Sequence, residues 1–220
     1  MSLAVPAPDC ALCPRLAAFR RTNRAAYPDF HNAPVPSFGG LDARLLIVGL
    51  APGLKGANRT GRPFTGDYAG DLLYGTLHKF GFARGEYGAR ADDGLTLAGC
   101  RIANAVRCVP PENKPVPAEI RTCNGFLKAE FAALGSLAAV LALGTIAHDA
   151  TLAALGLRRS LFRFGHSAEH RLTDRLTLFD SYHCSRYNTN TGKLTEAMFH
   201  AVFARIAATL DASRPSLTLR

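Results

Sequence analysis

The sequence predicts an α/β fold, a four-stranded parallel sheet covered on both faces by helices. Three observations carry this. Short apolar runs recur at Leu45–Val48, Ile102–Val106, Ala138–Leu143 and Leu176–Asp180, the pattern of strands buried on both faces. Segments of helical periodicity separate them, as parallel crossovers require. No internal repeat or low-complexity tract interrupts the 220 residues, a length that suits one domain over 1–220, with an N-terminal arm over about 1–43.

The arm is irregular and Pro-rich, with a short helix expected around Arg15–Asn23. It carries Cys10-Ala-Leu-Cys13, a spacing that lets two thiolates converge on one metal. No strand leads into the pair, which argues against a thioredoxin-type redox motif. Cys108 and Cys123 offer a second half. One closes a strand and the other lies in the first turns of a helix beginning near Pro117. The spacing alone allows zinc, an iron–sulfur cluster, or unrelated buried thiols. Cys100 reads as an ordinary buried thiol.

Leu45–Asp67 is the most informative stretch: a strand, a turn built on Gly49, Pro52, Gly53, Gly56 and Gly61, then a helix starting at Asp67. Such a turn puts backbone N–H groups at the carboxyl edge of the sheet, where open α/β folds bind ligands. It lacks both the dinucleotide G-x-G-x-x-G and the phosphate-binding Gly-Lys-Ser/Thr, so no nucleotide cofactor is expected. Apolar Leu72, Leu73, Leu77 and Phe80 make Asp67–Phe80 a helix, with Asp67 at its N-cap. Residues 84–99 read as a polar surface excursion.

Asn104 is the one amide in its strand and needs partners once buried. Four prolines make Val109–Pro117 a stiff connector into the helix Ala118–Leu134. A helix over Thr145–Leu155 follows the third strand. Gly156–Arg175, with Arg158, Arg159, Arg163, His166, His170 and Arg171, reads as a basic loop, able to follow a phosphate backbone or simply solvated. The last strand runs into Ser181–Lys193, and an amphipathic helix extends to about Leu210.

The bulk numbers bound the partners. The chain is 48% hydrophobic and 20% charged, a globular balance. Twenty-six Lys and Arg against seventeen acids leave +9, and the pI is about 9.6, which favours a polyanion such as nucleic acid. No apolar stretch reaches the length of a membrane span, and the N-terminus lacks the regions of a secretory signal, so a cytoplasmic monomer without membrane contact is expected. Six cysteines in that reducing setting point to ligands or buried thiols rather than disulfides. Three strand-end loops then share one sheet edge and offer Phe64 and Asp67, Asn104, and His183 and Asn188. An aromatic face, an amide, an imidazole and a carboxylate suit a planar polar ligand such as a nucleobase.

Gly49-Leu-Ala-Pro-Gly53, Gly61-Arg-Pro-Phe-Thr-Gly-Asp67, Asn104-Ala-Val-Arg-Cys108-Val-Pro-Pro and His183 to Thr195, with the four cysteines, resemble the iron–sulfur branch of the uracil-DNA glycosylase superfamily. Leu50 stands where family 4 carries an acid. That substitution, with Asn58-Arg-Thr-Gly and Phe64-Thr-Gly-Asp67, resembles family 5, the type B enzymes. The resemblance implies a three-layer α/β/α sandwich and removal of uracil, and of other deaminated bases such as hypoxanthine, from DNA. It also implies a structural [4Fe–4S] cluster on Cys10, Cys13, Cys108 and Cys123. By position, Phe64 is the stacking platform, Asn104 reads the base edge, His183 faces the charge on the leaving base, and Asp67 guides water. Leu50, Ala51, Gly53 and Asn188 shape the base pocket. Asn58, Arg59, Ser185, Arg186, Tyr187 and Lys193 meet the DNA, with Arg186 or Tyr187 as the wedge. The family's His-Pro-Ser is His183-Cys184-Ser185 here, which makes Cys184 an expected exposed thiol beside the site. A non-catalytic nucleic-acid binder on a metal-stapled fold is the competing expectation.

Overall fold

The computed structural model describes residues 3–213. In chain order, helix α1 (Pro14–Ala26) leads to strand β1 (Leu45–Gly49), a single turn α2 (Ala57–Thr60), helix α3 (Tyr68–Lys79) and two short strands, β2 (Ala83–Arg84) and β3 (Thr96–Leu97). Then follow β4 (Cys100–Asn104), α4 (Pro117–Ala133), β5 (Ala139–Leu143), α5 (Thr145–Ala154), β6 (Glu169–Arg171), β7 (Thr177–Ser181), α6 (Arg186–Asn190) and α7 (Glu196–Ala212). Proline opens α1 and α4, where its missing N–H and fixed φ suit the first turn. Asp67 and Thr195 cap α3 and α7 by accepting from Gly70 and Met198 N–H groups.

The main sheet has the order β4-β1-β5-β7-β6. The four apolar runs form its parallel part, and β6 adds a fifth strand, antiparallel to β7. The basic stretch read as a loop therefore holds an edge strand, with His170 opposite Leu178. An edge strand needs no apolar alternation, and Glu169 and Arg171 stay exposed, so its sequence carries no strand signal. Likewise, β2 and β3 make a small antiparallel hairpin that brackets most of the 84–99 excursion.

Alternation along the strands sorts two apolar layers. Leu45, Ile47, Leu141 and Phe179 pack with Leu73 and Leu77 of α3 and with Phe199, Phe203 and Ile206 of α7. Leu46, Val48, Val140 and Leu178 face Leu127 of α4 and Ala147, Ala150 and Leu152 of α5. Helices thus cover both faces, a three-layer α/β/α arrangement. The arm is tied down separately. Phe38 bridges to Ile102, Val35 N–H donates to Arg107 O at 2.7 Å, and Leu16 of α1 packs against Val106 and Cys123. Under the arm, buried Glu130 accepts from Ser37, Arg101 and Arg107, joining arm, β4 and α4.

From β1 the chain passes to β4 on one side and then returns to β5 on the other, a topological switch point. Register aligns Gly49 with Asn104 and Leu143 with Ser181, so all four parallel strands end along one edge. No helix among the described residues is long and apolar enough to cross a membrane.

Candidate active site

A cleft of about 770 Å³ opens at that edge. The turn after β1 supplies Leu50, Ala51 and Gly53, the start of α3 supplies Asp67, and the turn after β7 supplies His183, Ser185 and Arg186. One carboxylate oxygen of Asp67 accepts from Gly70 N–H at 3.3 Å and caps α3. The other faces Gly53 and Gly56, and a Cβ on Gly56 would collide with it. Helix cap and cleft-facing acid are therefore two ends of one group. Burial raises its pKa above the ordinary 3.8.

His183 lines the same cleft, and burial pushes its pKa down to about 4. The imidazole is therefore neutral at pH 7 and can give a hydrogen bond without being a cation. Its ring lies 5.8 Å from that of Phe64, at 25°. Phe64 is buried with φ +52°, a left-handed conformation rare for a bulky side chain. Gly49 stands between Phe64 and Asn104: a Cβ there would strike both the Phe64 ring and Asn104 Oδ1. Phe64, in the loop before α3, and Asn104, at the end of β4, thus adjoin His183 from behind the cleft wall and do not line the cleft itself.

The Uracil DNA glycosylase superfamily model matches residues 36–207. The chain is 46% identical over 195 residues to the type-5 uracil-DNA glycosylase of Thermus thermophilus, covering 86% of this chain and 89% of that one. It is 41% identical to the type-5 enzyme of Mycobacterium bovis, over 88% of this chain and 75% of the relative. It is 38% identical to that of Pyrobaculum aerophilum, over 91% and 88%.

The chain belongs to the uracil-DNA glycosylase superfamily.

Within this superfamily, these three relatives are all type-5 enzymes. Several residues expected at its site lie elsewhere than anticipated. Asn58 is buried and gives its amide to Asn32 Oδ1 at 2.9 Å, so it supports the glycine-rich turn from inside and has no surface for DNA. Asn188 donates to His183 O at 2.8 Å and its N–H meets Ser185 Oγ, so it braces the His183 turn from behind the cleft. Cys184 is fully buried, not exposed; its thiol points at Ala69 O, 3.5 Å away, and burial pushes its pKa up to about 12. Without proline, the thiol tucks beneath α3 and the site has no reactive sulfur there. Cys100 is buried, as expected.

Arg59 and Arg186 are exposed, Tyr187 is 74% exposed, and the Arg186 guanidinium lies 5.3 Å over the Tyr68 ring. The Lys193 ammonium sits 4.8 Å over Tyr182. Lys55, Asn113, Thr145 and Ile146 also line the cleft, and the sequence reading missed all four. Glu112 and Asn113 hold consecutive positive φ values, 54° and 57°, in the proline-rich connector. Strained residues at a rim are a signal, but one that only coordinates carry.

Cys10, Cys13, Cys108 and Cys123 line one small cavity with Leu16 and Phe126. Cys123 Sγ accepts Arg107 N–H at 3.3 Å, and Cys108 Sγ accepts from Arg20 at 3.6 Å. Arg20 Nε and Arg107 Nε are both buried without a partner. The donor set therefore fits an anionic metal–sulfur group, whose sulfurs would accept such N–H groups.

Behind β7, Asp180 is fully buried and meets His148 Nδ1 at 2.8 Å and His170 Nε2 at 3.3 Å. His148 Nε2 lies 2.9 Å from Phe162 O, which can only accept. Nε2 therefore carries hydrogen, and hydrogen bonding and charge attraction from Asp180 raise the His148 pKa above the ordinary 6.5, which favours the imidazolium.

Proposed function

We propose that this protein removes uracil from DNA by hydrolysing the N-glycosidic bond, leaving an abasic site. The observation that carries the reading is the convergence of Asp67 and His183 on one cleft at the switch point, with Phe64 and Asn104 directly behind it. The neutral His183 ring donates to the oxygen of the leaving base as negative charge builds on it, without requiring a buried cation. The cleft-facing oxygen of Asp67 orients water toward C1′ of the sugar. Phe64 stacks on the flipped base and Asn104 reads its polar edge. Because Leu50 and Ala51 bring no acid to the wall, the cleft also admits other deaminated bases such as hypoxanthine. Arg59, Ser185, Arg186, Tyr187 and Lys193 face the DNA, and the exposed Tyr187 fills the gap left by the base.

The four cysteines hold a structural [4Fe–4S] cluster in this reading, which staples α1 and the arm to α4 and the end of β4. Support comes from the N–H donors aimed at two of the sulfurs and from the spacing. Purified protein should be brown and contain iron and acid-labile sulfide in equal amounts. Stoichiometric zinc in a colourless protein would remove the cluster and leave the glycosylase reading intact.

The deciding experiment is a labelled duplex with one uracil, incubated with protein and treated with alkali. Cleavage at that position is expected, faster for U opposite G than for U opposite A because a mismatch flips at lower cost. An uncut strand that is nevertheless bound would overturn the proposal in favour of a non-catalytic binder.

A further inference from the structure

Residues 84–99 read from sequence as a surface excursion without a task, yet they pack against the loop that carries Phe64. Phe64 has φ +52°, a conformation that costs energy for a bulky residue and persists only where its surroundings enforce it. The enforcing contacts come from the excursion. The Tyr87 hydroxyl donates to Phe64 O and accepts Gly66 N–H, each at 3.3 Å, and so pins the chain where it leaves the strained residue. A Cβ on Gly70 would collide with both Phe64 O and Tyr87 Oη, so the three fit closely.

Tyr87 is itself fixed from two directions. Its ring stacks on Tyr74 at 4.6 Å, and Tyr74 Oη donates to Pro63 O at 2.6 Å, one residue before Phe64. On the other side, Asp93 accepts Gly88 and Leu95 N–H groups at 3.0 Å, closing the segment around Tyr87. Asp93 also takes a bidentate pair of hydrogen bonds from Arg62 at 2.7 and 2.6 Å. The Arg62 guanidinium lies among the rings of Phe38, Tyr74 and Tyr87, and its Nε donates to Thr65 Oγ1 at 2.8 Å. Arg62 and Thr65 bracket Phe64 in sequence, so the pair with Asp93 locks both ends of the platform to the excursion. Burial raises the Tyr87 pKa, which keeps the proton it gives to Phe64 O.

We infer that Tyr87 is a positioning residue for the Phe64 platform, and that the buried Arg62–Asp93 pair holds Tyr87 in place. The inference rests on the reading of Phe64 as the surface on which the flipped base stacks. Tyr87 does not line the cleft, and acts only by fixing the plane of the Phe64 ring beside His183.

The test is a double-mutant cycle on single-turnover uracil release. Tyr87→Phe keeps the ring stack and removes only the hydroxyl. It should slow cleavage by about tenfold or more, since small misplacements of positioning groups carry costs of that order. Binding of uracil-free duplex should be unchanged. Introduced into Phe64→Ala, the same substitution should slow cleavage no further, because the group it positions is gone. A purely structural role would instead reduce both backgrounds by the same factor. Equal fold-losses in the two backgrounds, or wild-type cleavage by Tyr87→Phe where Phe64→Ala is slow, overturns the inference alone. Wild-type cleavage by Phe64→Ala overturns the platform reading first. Asp93→Asn should repeat the Tyr87→Phe pattern. It leaves Arg62 a weaker partner, so should it fail to fold, the Tyr87 cycle decides.

Discussion

At the scale of single residues, His183 and Asp67 occupy one cleft with their pKa values displaced in opposite directions. Burial pushes His183 down to about 4, whereas burial lifts Asp67 above 3.8. His183 therefore keeps one protonation state across the neutral range, and both groups take up a proton only on the acid side. The cleavage rate should fall on the acid side as Asp67 and His183 take up protons, and Asp67→Asn should leave an acid limb that follows His183 alone. His183→Ala should lose roughly two to three orders of magnitude in single-turnover rate, the usual consequence of removing one well-aimed donor. Asp67→Asn also separates the two tasks of that side chain. Asparagine caps a helix about as well as aspartate, so the melting temperature should hold while the rate falls. An Asp67→Asn protein that cleaves at the wild-type rate would leave only the cap.

At the scale of elements, β1 does the most to build the site, and its last residue shows why. Gly49 pairs with Asn104 and leaves room for the Phe64 ring, so its missing side chain is what lets amide and aromatic converge. Gly49→Ala should cost about 1–3 kcal/mol of stability from overpacking. It should also slow cleavage more than it weakens binding of undamaged DNA, readable from melting and single-turnover assays on one preparation. The apolar run before Gly49, the Asp67 cap and the strand carrying Asn104 were all legible in sequence, because burial on both faces and N-capping are local signals. Edge strand β6 was not, since Glu169-His170-Arg171 is polar and takes its conformation from β7. Asn58 was read as a surface residue because its partner, Asn32, lies 26 positions upstream. Cys184 was misplaced for the same kind of reason: only the position of α3 decides whether that thiol meets water or Ala69. Lys55, Asn113 and Ile146 reach the cleft from connectors whose paths no periodicity describes.

At the scale of the whole molecule, buried ion pairs tie the layers together, and they titrate with opposite signs. Burial acts to raise the pKa of Glu130, but Arg101, Ser37 and Arg107 outweigh it and hold the carboxylate below 4.5. Its contribution is present above the unfolded value and fades as pH falls through the folded one. His148 behaves in reverse. Burial acts to lower its pKa, yet hydrogen bonding and charge attraction from Asp180, with help from Phe162 O and Asp149, leave it above 6.5. His170 faces the same carboxylate from β6. The His148–Asp180 pair links α5 to β7, one strand-end before His183, and its stabilisation should be complete below about pH 6.5 and lost as pH rises through the folded pKa. His148→Gln keeps a donor toward Asp180 but cannot carry the charge. Thermal melting of wild type and His148→Gln from about pH 6 to about pH 9 isolates that term, because the other titrating groups are common to both proteins. The gap in melting temperature should be widest at the acid end of that range and close progressively toward the alkaline end. A gap that stays constant would mean that His148 is neutral in the folded protein and that a proton on Asp180 makes the 2.8 Å contact instead.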